Sequence, residues 1–287
     1  MKLAFLGTPE VAAGTLRALV EAGHDVVAVV TRADTRRSRG PASSPSPVKA
    51  AAVELGLPVV YKPADILASR PELGVVVAYG RLIKPDVLAE VPMVNVHFSL
   101  LPRWRGAAPV ERAILAGDPE TGVCLMQLEE GLDTGPVYAR ETTPIGEEET
   151  ADELRARLGR IGTDLLLRSL AEGLPVPVPQ EGEPTYAAKV EPAELQLDLT
   201  RPAELVNRSV RVGRAWTTFR GKRLLVRRAR VLADGQGLTA GQIQGNKVGT
   251  GDGTLELQLV QPEGKPVMDG AAWARGARPA PDERLGQ

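Results

Sequence analysis

The stretch DVVAVVT (residues 25–31) constrains this chain most. Its valines fall on both alternating faces of an extended segment, and a strand apolar on both faces belongs in a sheet covered on both sides. KLAFLG (2–7) upstream is a second such run. Between them, Thr8 has the character of an N-cap and Pro9 of a first helical residue, with Val11, Leu16, Leu19 and Val20 as an apolar stripe and Gly23 as the stop. Strand, helix and strand in sequence make one right-handed crossover unit.

The same grammar recurs. Ser46 and Pro47 open a second helix, PVVY (58–61) is a short strand, and ELGVVVAYG (72–80) and VPMVNVHF (91–98) are buried ones. Thr150 and Glu153 form a capping-box pattern ahead of Leu154, Leu158, Ile161, Leu165 and Leu170, a long amphipathic helix. The spacing predicts an α/β fold, a doubly wound, mostly parallel sheet through about residue 175. Residues 174–184, LPVPVPQEGEP, have no helical period and are expected to run extended across a surface. Beyond them AELVNRSVRV reads as a short helix, and KRLLVRRARVL and GTLELQLVQP as strands of a small antiparallel barrel or sandwich. The expected division is a catalytic domain over 1–185, a linker over 186–203 and a C-terminal basic β domain over 204–287.

The composition of the 287 residues, with 43% hydrophobic and 25% charged, excludes wholesale disorder. No apolar run reaches the roughly 18 residues of a membrane span, and the apolar part of MKLAFLGTPE is too short for a signal peptide. A cytoplasmic, monomeric protein is expected. The one cysteine, Cys124, lies in an apolar run as a buried structural thiol, and one cysteine with two histidines argues against a zinc site. His24 follows the helix-closing Gly23 and reads as a solvated charge on a helix C-terminus.

The candidate site lies where the last predicted parallel strand ends. In NVHFSLLPRWRGAAP, Asn95, His97 and Ser99 share one face while the strand lasts, and Val94, Val96 and Phe98 the other. Open α/β sheets place ligands at the carboxyl ends of their strands. A core histidine beside a turn asparagine would give the same letters. Downstream, GLDTGPV sets Asp133 between glycines, where a backbone can approach a ligand closely; an ordinary turn former is the plainer reading.

These motifs carry a resemblance. NVHFSLLPRWRGAAP together with LGTPE, SPSPVK, VVVAYGRLI, GDPETGV, GLDTGPV and TYAAK, spread along the chain, closely resembles the folate-dependent formyltransferases, and among them those that act on methionyl-tRNA. LGTPE alone is weak, since it lacks the GxGxxG of a dinucleotide site. The resemblance implies a Rossmann-like catalytic domain and an OB-like C-terminal domain. It also implies transfer of a formyl group from 10-formyltetrahydrofolate to the α-amino group of initiator methionyl-tRNA, with no metal. Asn95 and His97 would then stabilise an oxyanion, and Asp133 would orient His97 or relay a proton, directly or through water. By family analogy, Val77, Ala78, Tyr79 and Gly80 with Ser99, Leu100, Leu101 and Pro102 line the folate pocket.

The nucleic-acid partner has separate support. Net charge is −1, yet from Arg208 to Arg230 there are nine Lys or Arg and no acid. Arg211, Arg220, Lys222, Arg223, Arg227 and Arg228 in that run suit a phosphate backbone, and a solvated basic face would look the same. Trp216 and Phe219 could stack on bases or fill the core. The loop TRADTRRSRGPASSPSP (31–47) adds Arg36, Arg37 and Arg39, and the resemblance places Arg39 against the end of the acceptor stem. The family's pattern has lysines where this chain has Pro41 and Ala42, and often a small residue where it has Phe98, a change expected to alter only packing behind the site. The rival readings are a formyltransferase for a small-molecule amine, a formyl-folate hydrolase, a non-catalytic tRNA-binding protein and an NAD-dependent oxidoreductase.

Overall fold

The computed structural model describes residues 1–36, 43–232 and 237–287. The chain divides into two compact units, one of residues 1–109, 120–144 and 155–188, the other of residues 110–119, 145–154 and 189–287.

In the first unit β1 (Lys2–Gly7), α1 (Glu10–Glu21) and β2 (Asp25–Val30) form the expected crossover. They are followed by α2 (Pro47–Glu54), β3 (Val59–Val60), β4 (Leu73–Val77), α3 (Pro85–Glu90) and β5 (Met93–His97), then by α4 (Pro109–Ala116), β6 (Glu120–Gln127), β7 (Val137–Pro144) and α5 (Ala151–Glu172). The sheet runs β7-β6-β5-β4-β1-β2-β3. Five strands are parallel; β6 pairs antiparallel with both β5 and β7 at one edge.

Local chemistry explains most boundaries. The Ser46 hydroxyl accepts the Lys49 N–H at 3.0 Å and Pro47 occupies the first helical position of α2. At α5 the Thr150 hydroxyl accepts the Glu153 N–H at 3.3 Å while Glu153 accepts the Thr150 N–H at 2.8 Å, a full capping box. The start of α1 differs from expectation. Pro9, with ψ 177°, is the N-cap rather than a helical residue, and no side chain caps the helix. Gly7 explains the tight entry: a Cβ there would lie 2.8 Å from the Ala12 Cβ and 2.9 Å from the Val77 carbonyl oxygen. Glycine also seats α5, since a Cβ at Gly162 would come within 2.7 Å of Val96 Cγ1. Helix α5 therefore lies close on β5, the strand that carries Asn95 and His97.

The proline-rich stretch is extended, as expected, but it is a partner of the first unit's own elements. Val178 pairs with Val137, and Tyr186 and Ala187 pair with Arg105 and Gly106. The stretch read as a linker is divided between the two units, because Leu195, Leu197 and Leu199 are buried in the second.

The second unit holds α6 (Ala203–Arg211), β8 (Trp216–Phe219), β9 (Lys222–Leu232), β10 (Ile243–Gln244), β11 (Lys247–Gly249), β12 (Thr254–Pro262), β13 (Met268–Asp269) and α7 (Gly270–Ala277). Its antiparallel sheet runs β8-β9-β12-β11-β10, with β13 on β12. Leu224, Val226, Leu255, Leu257, Val260 and Trp273 form the centre of its core. Arg220 and Gly221, at φ 50° and 68°, make the two-residue β8–β9 turn, the conformation that suits strand twist. No helix among the described residues is long and apolar enough to cross a membrane.

Candidate active site

Strand β5 lies between β4 and β6, with Val94 fully buried and His97 only 5% exposed. A cavity of about 460 Å³ opens beyond the carboxyl ends of β4 and β5, and Asn95, His97 and Asp133 all line it. Residues 36 positions apart in sequence thus meet because the Asp133 loop joins β6 to β7, beside β5.

His97 is held from one side. Its Nε2 lies 3.0 Å from the Trp104 carbonyl oxygen, which can only accept, so Nε2 carries the hydrogen. That fixes the tautomer of the neutral ring and turns Nδ1 toward Asp133, whose Oδ2 is 3.6 Å away. The expectation of a freely offered ring N–H is thereby narrowed: the Nε2–H is engaged, and Nδ1 faces the Asp133 carboxyl. Asp133 Oδ2 also accepts the Gly106 N–H at 2.7 Å. The chain that leaves β5 supplies both restraints, through Trp104 and Gly106.

Asp133 sits at φ 51°, a left-handed conformation that Asp tolerates better than most residues. The flanking glycines serve the loop itself. A Cβ at Gly135 would lie 1.9 Å from the Gln127 carbonyl oxygen, and one at Gly131 would lie 2.2 Å from Thr134 Oγ1.

The expected pocket residues divide. Ala78, Tyr79 and Gly80 line the cavity, whereas Val77 is fully buried in β4 and Val76 lines it instead. Ser99, Leu100, Leu101 and Pro102 are not among its lining residues. The strand ends at His97, the alternation that would keep Ser99 beside Asn95 stops there, and the Ser99 hydroxyl donates to the Arg103 carbonyl at 2.6 Å. Leu101 is buried with Cys124, Met126 and Val137. Phe98 reaches the cavity rather than packing behind it, so its size bears on the pocket. Burial raises the Tyr79 hydroxyl above its ordinary pKa, with Arg81 opposing. Burial likewise raises the Cys124 thiol, whose sulfur accepts the Leu101 N–H at 3.4 Å. Among the described residues no three or more His, Cys, Asp or Glu are grouped to hold a metal.

A family model described as "Formyl transferase" matches residues 1–170, and one described as "Formyl transferase, C-terminal domain" matches residues 189–278. The chain belongs to the formyl transferase family. It is 45% identical to a methionyl-tRNA formyltransferase of Jannaschia sp. (strain CCS1), over 98% of both chains. It is 44% identical to one from Thermobifida fusca (strain YX), over 100% of this chain and 99% of that one. Among solved structures, a methionyl-tRNA formyltransferase from Clostridium thermocellum shares the fold, with a TM-score of 0.62 at 18% identity over 80% of this chain and 93% of that one.

In this formyl transferase the basic run of the second unit is only partly open. The half-buried Arg211 donates to the carbonyls of Gly146 and Glu149 at 2.7 and 2.8 Å, and burial lowers its pKa. A guanidinium so engaged within its own unit does not meet the expectation of a phosphate contact. Arg220 pairs with Glu283 at 2.5 Å and lies over Phe219 at 4.7 Å. Arg228 lies 3.4 Å from Glu153, and Arg227 donates to the Gly213 carbonyl at 3.1 Å. Lys222 and Arg223 are exposed, Arg223 lying 4.3 Å over the Trp216 ring. Phe219 meets Trp273 edge-on at 5.3 Å and packs against the core. In the N-terminal loop Arg36 pairs with Ser43 in a short ladder; Arg37, Arg39, Pro41 and Ala42 lie outside the described residues.

Proposed function

We propose that the protein transfers the formyl group of 10-formyltetrahydrofolate to the α-amino group of methionine on initiator tRNA. The observation that carries this is the meeting of Asn95, His97 and Asp133 at one cavity, in a chain nearly full-length similar to methionyl-tRNA formyltransferases. Val76, Val96, Phe98 and Leu128 give the cavity apolar walls, and a largely apolar cleft with a few polar groups suits a flat heterocycle. Ala78, Tyr79 and Gly80 would hold the folate there. Bound 10-formyltetrahydrofolate supplies a formyl carbon already joined to a nitrogen leaving group.

The chain's own groups then have defined tasks. As the amine nitrogen bonds to the formyl carbon, the carbonyl electron pair moves onto oxygen, and the Asn95 amide donates to that oxygen. Nδ1 of His97 and the Asp133 carboxylate take the proton the amine loses and return it to the departing nitrogen as the old carbon–nitrogen bond breaks. The Trp104 carbonyl keeps the imidazole turned for that exchange. Removing one such oxyanion donor costs about 3 kcal/mol of barrier.

The second unit, in this reading OB-like, offers Lys222, Arg223 and Arg227 to the tRNA backbone. Arg36, Arg37 and Arg39 meet the acceptor end, and the enzyme works as a cytoplasmic monomer. The test is a formylation assay with initiator methionyl-tRNA, elongator methionyl-tRNA and free methionine in parallel. Rapid product with the initiator alone supports donor, acceptor and discrimination together. Saturable folate binding with no product from any of the three would move the acceptor to a small-molecule amine.

A further inference from the structure

The segment that reads in the sequence only as a proline-rich spacer ties the loop that presents Asp133 to the chain that leaves β5 after His97. Residues 178–187 run first along β7, where Val178 and Val137 exchange both backbone hydrogen bonds, at 2.9 and 2.8 Å. They end beside the chain leaving β5. There the Thr185 hydroxyl accepts the Trp104 N–H at 2.9 Å, the Thr185 carbonyl accepts the Arg105 N–H at 2.8 Å, and the Ala187 carbonyl accepts the N–H groups of Ala107 and Ala108.

Gln180 stands between these two ends. Its Nε2 donates to the carbonyls of Asp133 and Gly135, both at 2.8 Å. Its Oε1 accepts from Arg105, Nη2 at 2.7 Å and Nε at 3.1 Å. All the polar capacity of one amide head is thus committed to these two segments, and Arg105 decides which way the amide faces, since a guanidinium can only donate. The next residue, Gly106, gives its N–H to Asp133 Oδ2 at 2.7 Å. Asp133 is therefore gripped at both its carboxylate and its carbonyl, in the left-handed conformation, by groups that converge from one clamp.

We propose that Gln180, oriented by Arg105, is the positioning residue for Asp133: it fixes the left-handed Asp133 backbone so that the carboxylate stays on the Nδ1 edge of His97. This rests on the proposed formyl transfer, and Gln180 touches neither substrate nor folate in it. A misplacement of about 1 Å costs up to about a hundredfold in rate.

The test is Gln180→Glu in the full chain. The carboxylate keeps an acceptor for Arg105 and loses both donors to the Asp133 and Gly135 carbonyls, so it removes the tether with little change in volume. The expected result is a kcat lower by about 10- to 100-fold, KM for 10-formyltetrahydrofolate within about twofold, and faster amide hydrogen exchange at residues 131–135 with no change at 93–97. In an Asp133→Asn background the same change should alter the single-turnover rate by less than about twofold, because the group it positions is gone. Arg105→Lys, which keeps the charge and loses the forked donor, should reproduce the pattern more weakly and stands in should the first variant fold poorly.

A kcat within about twofold of wild type, a raised folate KM at unchanged kcat, or an equal loss in the Asp133→Asn background would each overturn the assignment. Should the wild-type chain transfer no formyl group, the proposed function fails. Hydrogen exchange at 131–135 then decides the tether by itself, unchanged protection in Gln180→Glu ruling it out.

Discussion

Strands β5 and β9 make opposite use of polar side chains. In β5 the histidine is buried, its ring hydrogen is committed to a carbonyl 3.0 Å away, and the acid opposite it is held by a backbone N–H at 2.7 Å. In β9 the basic side chains of Lys222, Arg223, Arg227 and Arg230 lie toward solvent, and the partners shown for three of them are an aromatic face, a turn carbonyl and a surface acid. Under the proposed function this difference has a physical reason. Formyl transfer needs donors placed within a fraction of an ångström before the reaction begins, and only burial and fixed partners give that. Attraction to a phosphate chain is long-ranged and tolerant of geometry, so exposed side chains on a rigid strand suffice. Surface ion pairs such as Arg230 with Glu256 at 2.9 Å add little to stability.

The sharpest way to break this comparison is on the buried side. Under single turnover, Asn95→Ala and His97→Ala should each slow the chemical step about 10²- to 10³-fold with folate affinity little changed. A rate within about threefold of wild type would remove the residue from the reaction.

Next in size is the loop that brings Asp133 to β5. Gly135→Ala sets a methyl 1.9 Å from the Gln127 carbonyl oxygen in the present backbone, so the loop must shift. The expected cost is about 1–3 kcal/mol, which calorimetry reads as a drop in Tm of about 2–4 °C per kcal/mol, together with loss of kcat. Unchanged Tm and unchanged kcat would show that the loop's position is not critical.

On the exposed side, reversing charge at Lys222, Arg223 and Arg227 should weaken tRNA binding and flatten the slope of log affinity against log salt by about 0.7–0.9 for each phosphate no longer neutralised, with folate binding untouched. Equal weakening of both ligands in a titration series would point instead to a damaged fold.

The smallest effect concerns the β8–β9 turn. Arg220 pairs with Glu283 and, with the Ala280 N–H, lowers that carboxyl to about 2 from an ordinary 4.5. A depressed carboxyl contributes its stability above the unfolded value, and that stability is lost as pH falls from about 4.5 through about 2. Glu283→Gln should therefore lower Tm slightly at neutral pH and match wild type near pH 2, and a gap that persists at about pH 2 would mean the pair is not what holds the turn.

Local chemistry by itself determined a good deal of this protein. The strand and helix succession, the Ser46 cap and the Thr150–Glu153 box are legible because each depends on residues within about four positions of one another. The candidate trio Asn95, His97 and Asp133 was legible as motifs, though not as a geometry. Only the tertiary structure decided that Phe98 faces the cavity while Ser99 turns away, that the Arg211 guanidinium binds carbonyls of its own unit, and that a proline-rich stretch clamps the site. The reason is sequence distance. Gly106 meets Asp133 across 27 residues, Gln180 meets it across 47, and Arg105 meets Gln180 across 75. No period or propensity encodes pairings that long; they exist because β6, antiparallel to both β5 and β7, brings the Asp133 loop to the chain that leaves β5, where polar groups withdrawn from water must pair with one another.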